Sequence, residues 1–214
     1  MQTSPKTPKK IFATRLLGVT LCLVISLSAV IIPARGQVLD GIPEIFDSIA
    51  LQLTAQGIDS NIGDVTDANW MSFPGLYFEK WTTVGDPATK IGRMTFINPI
   101  NFMDEETQNF LYTLESQMQM GEGSIALDVG TVAGFQNNPA TLVMYGLPLG
   151  ITFDELVVSD DAGNIIDITG IVDEDSFSQN PVTGDVTFSV AHFTKFEIDL
   201  TPYYIYTYLP LIIR

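Results

Sequence analysis

Short segments in which apolar and polar residues alternate dominate this chain from Met71 onward, and Gly or Pro residues separate them. A period of two places every second side chain on the same face, which is typical of half-buried strands. Many short strands at this spacing are typical of a sandwich, in which two sheets bury their apolar faces against each other. The sequence therefore predicts a mainly β fold, an antiparallel β-sandwich, with strands at 76–81, 91–97, 124–129, 140–145, 155–159, 165–171 and 186–200, and a hairpin turn at 160–163.

One segment departs from this pattern and predicts an inserted amphipathic helix at 104–118. Its first three residues are acidic, and negative charge stabilises the N-terminal end of a helix dipole. Its apolar residues recur at helical spacing and form one stripe: Phe110, Leu111, Leu114 and Met118. Gly121 is the expected helix stop.

The segment 37–70 before the sandwich fits two local structures. Apolar residues recur at helical spacing after Asp40, with Pro43 near the start: Ile42, Ile45, Phe46, Ile49 and Leu53. Ile49, Leu51 and Leu53 also alternate with polar residues, as a strand would require. We favour an N-terminal helix, followed by a polar loop at 59–69.

The first 36 residues have the organisation of a signal peptide. A basic region without acids precedes an apolar run at 16–32, and Ala34 and Gly36 are small residues at the two positions that a signal peptidase reads. We therefore expect cleavage before Gln37. The run is also near the lower length limit for a membrane-spanning helix, so an uncleaved membrane anchor is the alternative. Cys22, the only cysteine, follows the large residue Leu21 and does not fit a lipidation signal.

The predicted mature chain is strongly acidic and lacks thiols. The leader contains five of the ten basic and none of the 25 acidic residues, so five basic residues oppose 25 acidic ones, a net charge of −20. Such a surface repels nucleic acid and anionic lipid. We expect no nucleic-acid partner, and a membrane contact only through an uncleaved leader. Without cysteine, the mature chain has no disulfides and no thiolate ligands.

Two acidic stretches are weak candidates for structural calcium, the one cofactor that the sequence suggests. The first contains Asp59, Asn61, Asp64 and Asp67, but Gly63 and Asp64 stand in the reverse of the EF-hand order. The second contains Asp173 and Asp175. Oxygen-rich loops suit calcium, although a solvated loop is the more common structure for such stretches.

The sequence indicates no catalytic residue. His192, the only histidine, lies at an even-numbered position of the predicted strand, on the same face as Phe188, Val190, Phe196 and Ile198. It is therefore predicted to be buried and structural. No nucleophile motif accompanies it. We expect a non-catalytic structural or interaction protein. The first alternative is a polysaccharide-binding module, which would expose Trp70 or Trp81. The second alternative is a hydrolase, which would place two carboxylates beside His192.

An ordered set of segments resembles an uncharacterised immunoglobulin-like β-sandwich domain of secreted and surface bacterial proteins. The set comprises 91–96, the helix at 104–118, 124–128, 139–142 and 192–196, and the resemblance covers about 75–200. The resemblance implies an extracellular sandwich and supplies no catalytic residues.

The last residues form an apolar, aromatic tail at 203–214, after the sandwich at 71–202. Tyr208, Leu209, Pro210 and Arg214 resemble a YLPLxxR-type terminal signature of exported bacterial proteins. This resemblance implies a sorting or attachment signal, and hence a secreted or cell-surface protein with an extracellular partner.

Overall fold

The computed structural model describes residues 42–130, 132–160 and 162–204, and these residues form a two-sheet sandwich with four helices. The elements in chain order are α1 (Ile42–Ala55), β1 (Ile58–Ser60), β2 (Tyr77–Trp81), β3 (Lys90–Phe96), α2 (Glu105–Gln117), β4 (Met118–Gly121), β5 (Ser124–Leu127), α3 (Ala133–Gln136), β6 (Ala140–Met144), β7 (Leu156–Ser159), β8 (Val172–Gln179), β9 (Val186–Val190), β10 (Lys195–Ile198) and α4 (Thr201–Tyr204). The predicted mainly β, antiparallel sandwich is confirmed.

The strands divide into a six-stranded and a four-stranded sheet. The larger sheet has the order β1-β2-β3-β6-β9-β8 and the smaller has the order β4-β5-β10-β7. All ladders between these strands are antiparallel. The chain thus passes to the smaller sheet after β3, and to the larger sheet again at β6.

The core lies between the two sheets and is rich in aromatic side chains. Phe188 on β9 and Phe196 on β10 bring their ring centroids to 5.8 Å across the interface. Gly92 on β3 faces Ile125 on β5 so closely that a Cβ at position 92 would lie 3.1 Å from the isoleucine Cδ1. Alternate residues of the larger sheet therefore point inward, and those between them form its outer face.

The described part of the segment 37–70 packs against the sandwich residues. The N-terminal helix is present as α1, and it buries Phe46, Ile49 and Leu53. The Phe46 ring lies 5.1 Å from that of Phe102, and β1 pairs with β2. None of the helices in the described ranges is long and apolar enough to cross a bilayer.

The inserted helix is also present, with one correction at its end. The Asp104 side chain accepts a hydrogen bond from the Thr107 N–H at 2.9 Å and caps α2, and the predicted apolar stripe is buried. The helix ends at Gln117, and Met118 begins β4 without a loop. Gly121 is therefore not the helix stop, because the backbone is already extended there.

The predicted strand at 186–200 is two strands in different sheets. β9 belongs to the larger sheet and β10 to the smaller, and residues 191–194 cross between them. The crossing changes which side chains face inward, so Phe193 is buried and His192 is only half-buried. The prediction that His192 is buried in register with Phe188 is therefore wrong.

The sequence predicts a strand at 165–171 and a solvated loop at 173–175, and the structure has the opposite arrangement. Residues 165–171 form only isolated bridges, whereas Asp173 and Asp175 lie on β8, the edge strand of the larger sheet. The ladder with β9 is interrupted between Asp173 and Ser178, so this part of the edge strand bulges and leaves its charged side chains exposed. The leader and the tail from 205 onward lie outside the described residues, so cleavage and sorting remain predictions.

Candidate functional site

Two of the calcium candidates connect the first two strands. The Tyr77 hydroxyl donates to Asp59 Oδ2 at 3.1 Å. The Asn61 amide donates to the Gly75 carbonyl at 3.1 Å, and its oxygen accepts from the Tyr77 N–H at 3.0 Å. Asp59 and Asn61 therefore connect β1 to the start of β2 and to the residues just before it.

The other calcium candidates are exposed and are not brought together. Asp64 and Asp67 lie in the turns after β1, and Asp173 and Asp175 lie on β8. Within the described ranges, no three histidine, cysteine or carboxylate side chains converge on a common point.

His192 lines an open cleft rather than the core. The cleft has a volume of about 370 Å³, and the described residues that line it include one carboxylate, Asp128, and the amide side chains of Gln136 and Asn137. The His192 Nδ1 lies 3.4 Å from the carbonyl oxygen of its neighbour Phe193. The pair of carboxylates that the hydrolase alternative requires does not line this cleft.

A buried carboxylate on the outer face of the larger sheet is the most unusual polar feature of the described residues. Glu79 alternates with the core residue Phe78, so it points away from the sandwich interior, yet only 2% of it is exposed. A buried charge needs several partners to offset the loss of water. Glu79 therefore indicates a local cluster built on top of the sheet.

Four side chains provide those partners. The Tyr145 hydroxyl donates to Glu79 Oε1 at 2.6 Å, and the Lys90 ammonium donates to the same oxygen at 3.1 Å. The Trp81 indole N–H donates to Glu79 Oε2 at 2.7 Å, and an Arg93 nitrogen lies 3.8 Å from Oε1. Both carboxylate oxygens are thus engaged.

Aromatic rings and cations cover the carboxylate from above. The Lys90 nitrogen lies 5.1 Å from the Trp81 ring and 5.4 Å from the Tyr145 ring, within the range of cation–π attraction. The Arg93 guanidinium lies 4.0 Å from the Tyr77 ring centre. We name this group of six side chains the Glu79 cluster: Tyr77, Glu79, Trp81, Lys90, Arg93 and Tyr145.

Strand register brings the cluster together. Glu79 pairs with Arg93 and Trp81 with Lys90 across a bulge between β2 and β3. Tyr145 follows β6, the next strand, and its N–H donates to the Ile91 carbonyl. Three neighbouring strands therefore present their outward side chains at one place.

The cluster keeps its carboxylate ionised. Burial raises the pKa of Glu79, but the hydrogen bonds from Tyr145, Lys90 and Trp81 and the Lys90 charge outweigh it and lower the pKa overall. Burial and the neighbouring Glu79 carboxylate raise the pKa of the Tyr145 hydroxyl. A carboxylate that accepts three hydrogen bonds and has a lowered pKa is a poor proton acceptor and a poor proton donor at neutral pH.

The structure describes both tryptophans of the polysaccharide alternative, and neither is fully exposed. Trp70 and Trp81 are both half-buried. The Trp81 indole N–H is bound to Glu79, and Lys90 covers its ring. The cluster holds its aromatic rings in place through internal contacts.

None of the patterns in the sequence predicted the Glu79 cluster, although the placement of the basic residues is a signal for it. Of the four basic residues between positions 42 and 204, three lie on β2 and β3: Lys80, Lys90 and Arg93. Cations concentrated on two adjacent strands of an acidic chain indicate a local carboxylate partner.

No protein-family model matches this chain, and a comparison with curated proteins returns no significant match.

Proposed function

We propose that this chain is an exported, non-catalytic structural or interaction protein that acts outside the cell or at its surface. The basic and apolar leader supports export, and the acidic composition suits an extracellular domain that stays soluble. The outer face of the larger sheet, centred on the Glu79 cluster, is the proposed contact surface.

The engagement of Glu79 is the observation that carries this proposal. Catalytic carboxylates need a free lone pair or a transferable proton near the substrate. Glu79 accepts hydrogen bonds from Trp81, Tyr145 and Lys90, and these bonds lower its basicity. Rings and charges fixed before a partner arrives lose little side-chain entropy on binding, which favours a recognition surface.

Cell fractionation with mass spectrometry of the protein termini tests the export part. We expect the protein outside the cytoplasm with Gln37 as its first residue. Gly36→Leu should block the cleavage because a signal peptidase requires a small residue there, whereas Gln37→Ala should leave it intact. A cytoplasmic protein that retains Met1 would overturn the export proposal.

Site-specific cross-linking tests the contact surface. The expected mature chain contains no cysteine, so one introduced cysteine carries a photo-reactive group at a single position. Thr141, which pairs with Thr95, lies on the outer face, and Val182 lies in an exposed turn elsewhere. Cross-links to the cell surface from Thr141→Cys but not from Val182→Cys support the proposal, and equal cross-linking contradicts it.

A further inference from the structure

We propose that Glu79, Trp81 and Tyr145 form a binding cage for the ammonium group of a lysine side chain on a basic partner protein, and that Lys90 is its displaceable internal occupant. We name these three residues the ammonium cage. The inference rests on the proposed function, because it assigns a partner chemistry to the same sheet face.

The cage surrounds one nitrogen with the groups that bind ammonium ions. The Lys90 Nζ lies 3.1 Å from Glu79 Oε1 and within 5.4 Å of the Trp81 and Tyr145 ring centres. A carboxylate with two aromatic faces stabilises an ammonium by charge and by cation–π attraction together. The chemistry that retains Lys90 is therefore suited to any primary amine that reaches the same position.

The walls of the cage do not depend on Lys90. The Trp81 indole and the Tyr145 hydroxyl each donate directly to Glu79, at 2.7 and 2.6 Å. Arg93 lies near the same carboxylate at 3.8 Å and offsets part of its charge. Departure of the Lys90 ammonium would thus leave a formed cage whose carboxylate keeps Arg93 as a more distant charged neighbour.

Lys90 can leave without movement of the sheet. Its side chain is 26% exposed, and it is the first residue of β3, directly after the mostly exposed loop 82–89. A lysine stem rotates about four bonds and is readily hydrated at its end. Rotation of this side chain alone exchanges the internal occupant for an external one.

Charge complementarity favours a cationic rather than an anionic partner. The four basic residues between positions 42 and 204 are greatly outnumbered by acids. Three of the four lie on β2 and β3, where the Glu79, Asp59 and Asp185 carboxylates offset them, so the attraction for cations comes from the chain as a whole. Such a field attracts basic chains and repels acidic ones. A lysine-bearing segment is therefore the occupant that both the cage and the surrounding field select.

Titration of the protein recovered after export, followed through the Trp81 indole N–H resonance, tests the cage. Methylammonium should shift this resonance saturably in Lys90→Ala, with an affinity on the order of tenfold above wild type because the internal competitor is gone. Lys90→Met, which keeps the aliphatic stem, should behave alike if Lys90→Ala folds poorly. Lys195→Ala, which removes a cation from an exposed pair with Glu197, should match wild type.

A second titration identifies the partner chemistry. A short lysine-containing peptide should shift the Trp81 resonance of Lys90→Ala, and the same peptide with its lysine acetylated should not. Lys90→Ala combined with Glu79→Gln should lose the response to both probes. Absence of a saturable shift in the folded Lys90 variants, or equal binding of the acetylated peptide, overturns the inference. Export and surface cross-linking would then still stand, so the two proposals fail separately.

Discussion

Replacement of Glu79 by glutamine is the sharpest test of the cluster. The substitution keeps the shape of the side chain and removes its charge. An amide has only one acceptor oxygen, but three donors approach Glu79: Trp81 on one oxygen, with Tyr145 and Lys90 on the other. Whichever way the amide is oriented, its NH₂ group faces another donor.

The cost follows from those contacts. A hydrogen bond to a charged group contributes about 1.5–3 kcal/mol, and a buried donor without an acceptor costs about 1–3 kcal/mol. Lys90 is partly exposed and can return to water, which removes its share of the cost. We expect Glu79→Gln to lower the free energy of unfolding by about 2–4 kcal/mol, below the ~3–5 kcal/mol typical of a broken fully buried ion pair.

Urea denaturation measures this loss, provided that the m-value is unchanged. Glu197→Gln is the matched control, because its pair with Lys195 is exposed on both sides and should contribute less than about 1 kcal/mol. The pKa of Glu79 is lower in the folded than in the unfolded protein. Its stabilisation is therefore present above a pH of about 4.3 and is lost as the pH falls through the folded pKa. The difference in the free energy of unfolding between wild type and Glu79→Gln should therefore become smaller in acid. A Glu79→Gln protein as stable as Glu197→Gln at pH 7 would refute the reasoning.

Three further predictions concern the core and the tail. Leu114→Ala should cost about 2–5 kcal/mol because Leu114 is fully buried on α2, whereas Leu51→Ala, on the exposed side of α1, should change stability by no more than about 0.5 kcal/mol; similar denaturation midpoints would contradict the packing of α2. Phe193→Ala should cost about 3–5 kcal/mol and His192→Ala less than about 1 kcal/mol. The reverse order would mean that His192, and not Phe193, faces the core where residues 191–194 cross between the sheets. Truncation after Tyr204, which keeps the Tyr203 hydrogen bond to the Gly150 carbonyl, should preserve the melting temperature and move the protein from the cell-surface fraction to the medium; an unfolded product would show that the tail completes the domain.

The sequence predicted elements whose signals are local. The stripe on α2 and the alternation in β3 and β6 each lie within one element, and each is found in the structure. The acidic residues of β8 favoured a loop because they show no apolar alternation, which an edge strand with an interrupted ladder does not need. Apolar residues occupy the even-numbered positions both in 186–190 and in 196–200. The alternation therefore continues across residues 191–194, and no local signal marks the change of sheet there.

The Glu79 cluster was not predictable in the same way. A glutamate between Phe78 and Lys80 is the ordinary outward residue of a half-buried strand. Its burial depends on Tyr145, 66 positions further along the chain, and on the register that places β6 beside β3. Such contacts are properties of strand pairing, which periodicity within one segment does not encode.

The late position of β9 and β10 has a consequence for how the chain is made. β9 lies between β6 and β8, and β10 lies between β5 and β7, so residues 186–198 supply an interior strand to each sheet. Domains are synthesised from the N-terminus at about 5–20 residues per second, and long-range strand pairs cannot form before both strands exist. Neither sheet is complete until this segment has emerged. The β1-β2-β3-β6 ladder and the β4-β5 hairpin can pair earlier, but β7 and β8 have no neighbouring strand to pair with until β10 and β9 exist.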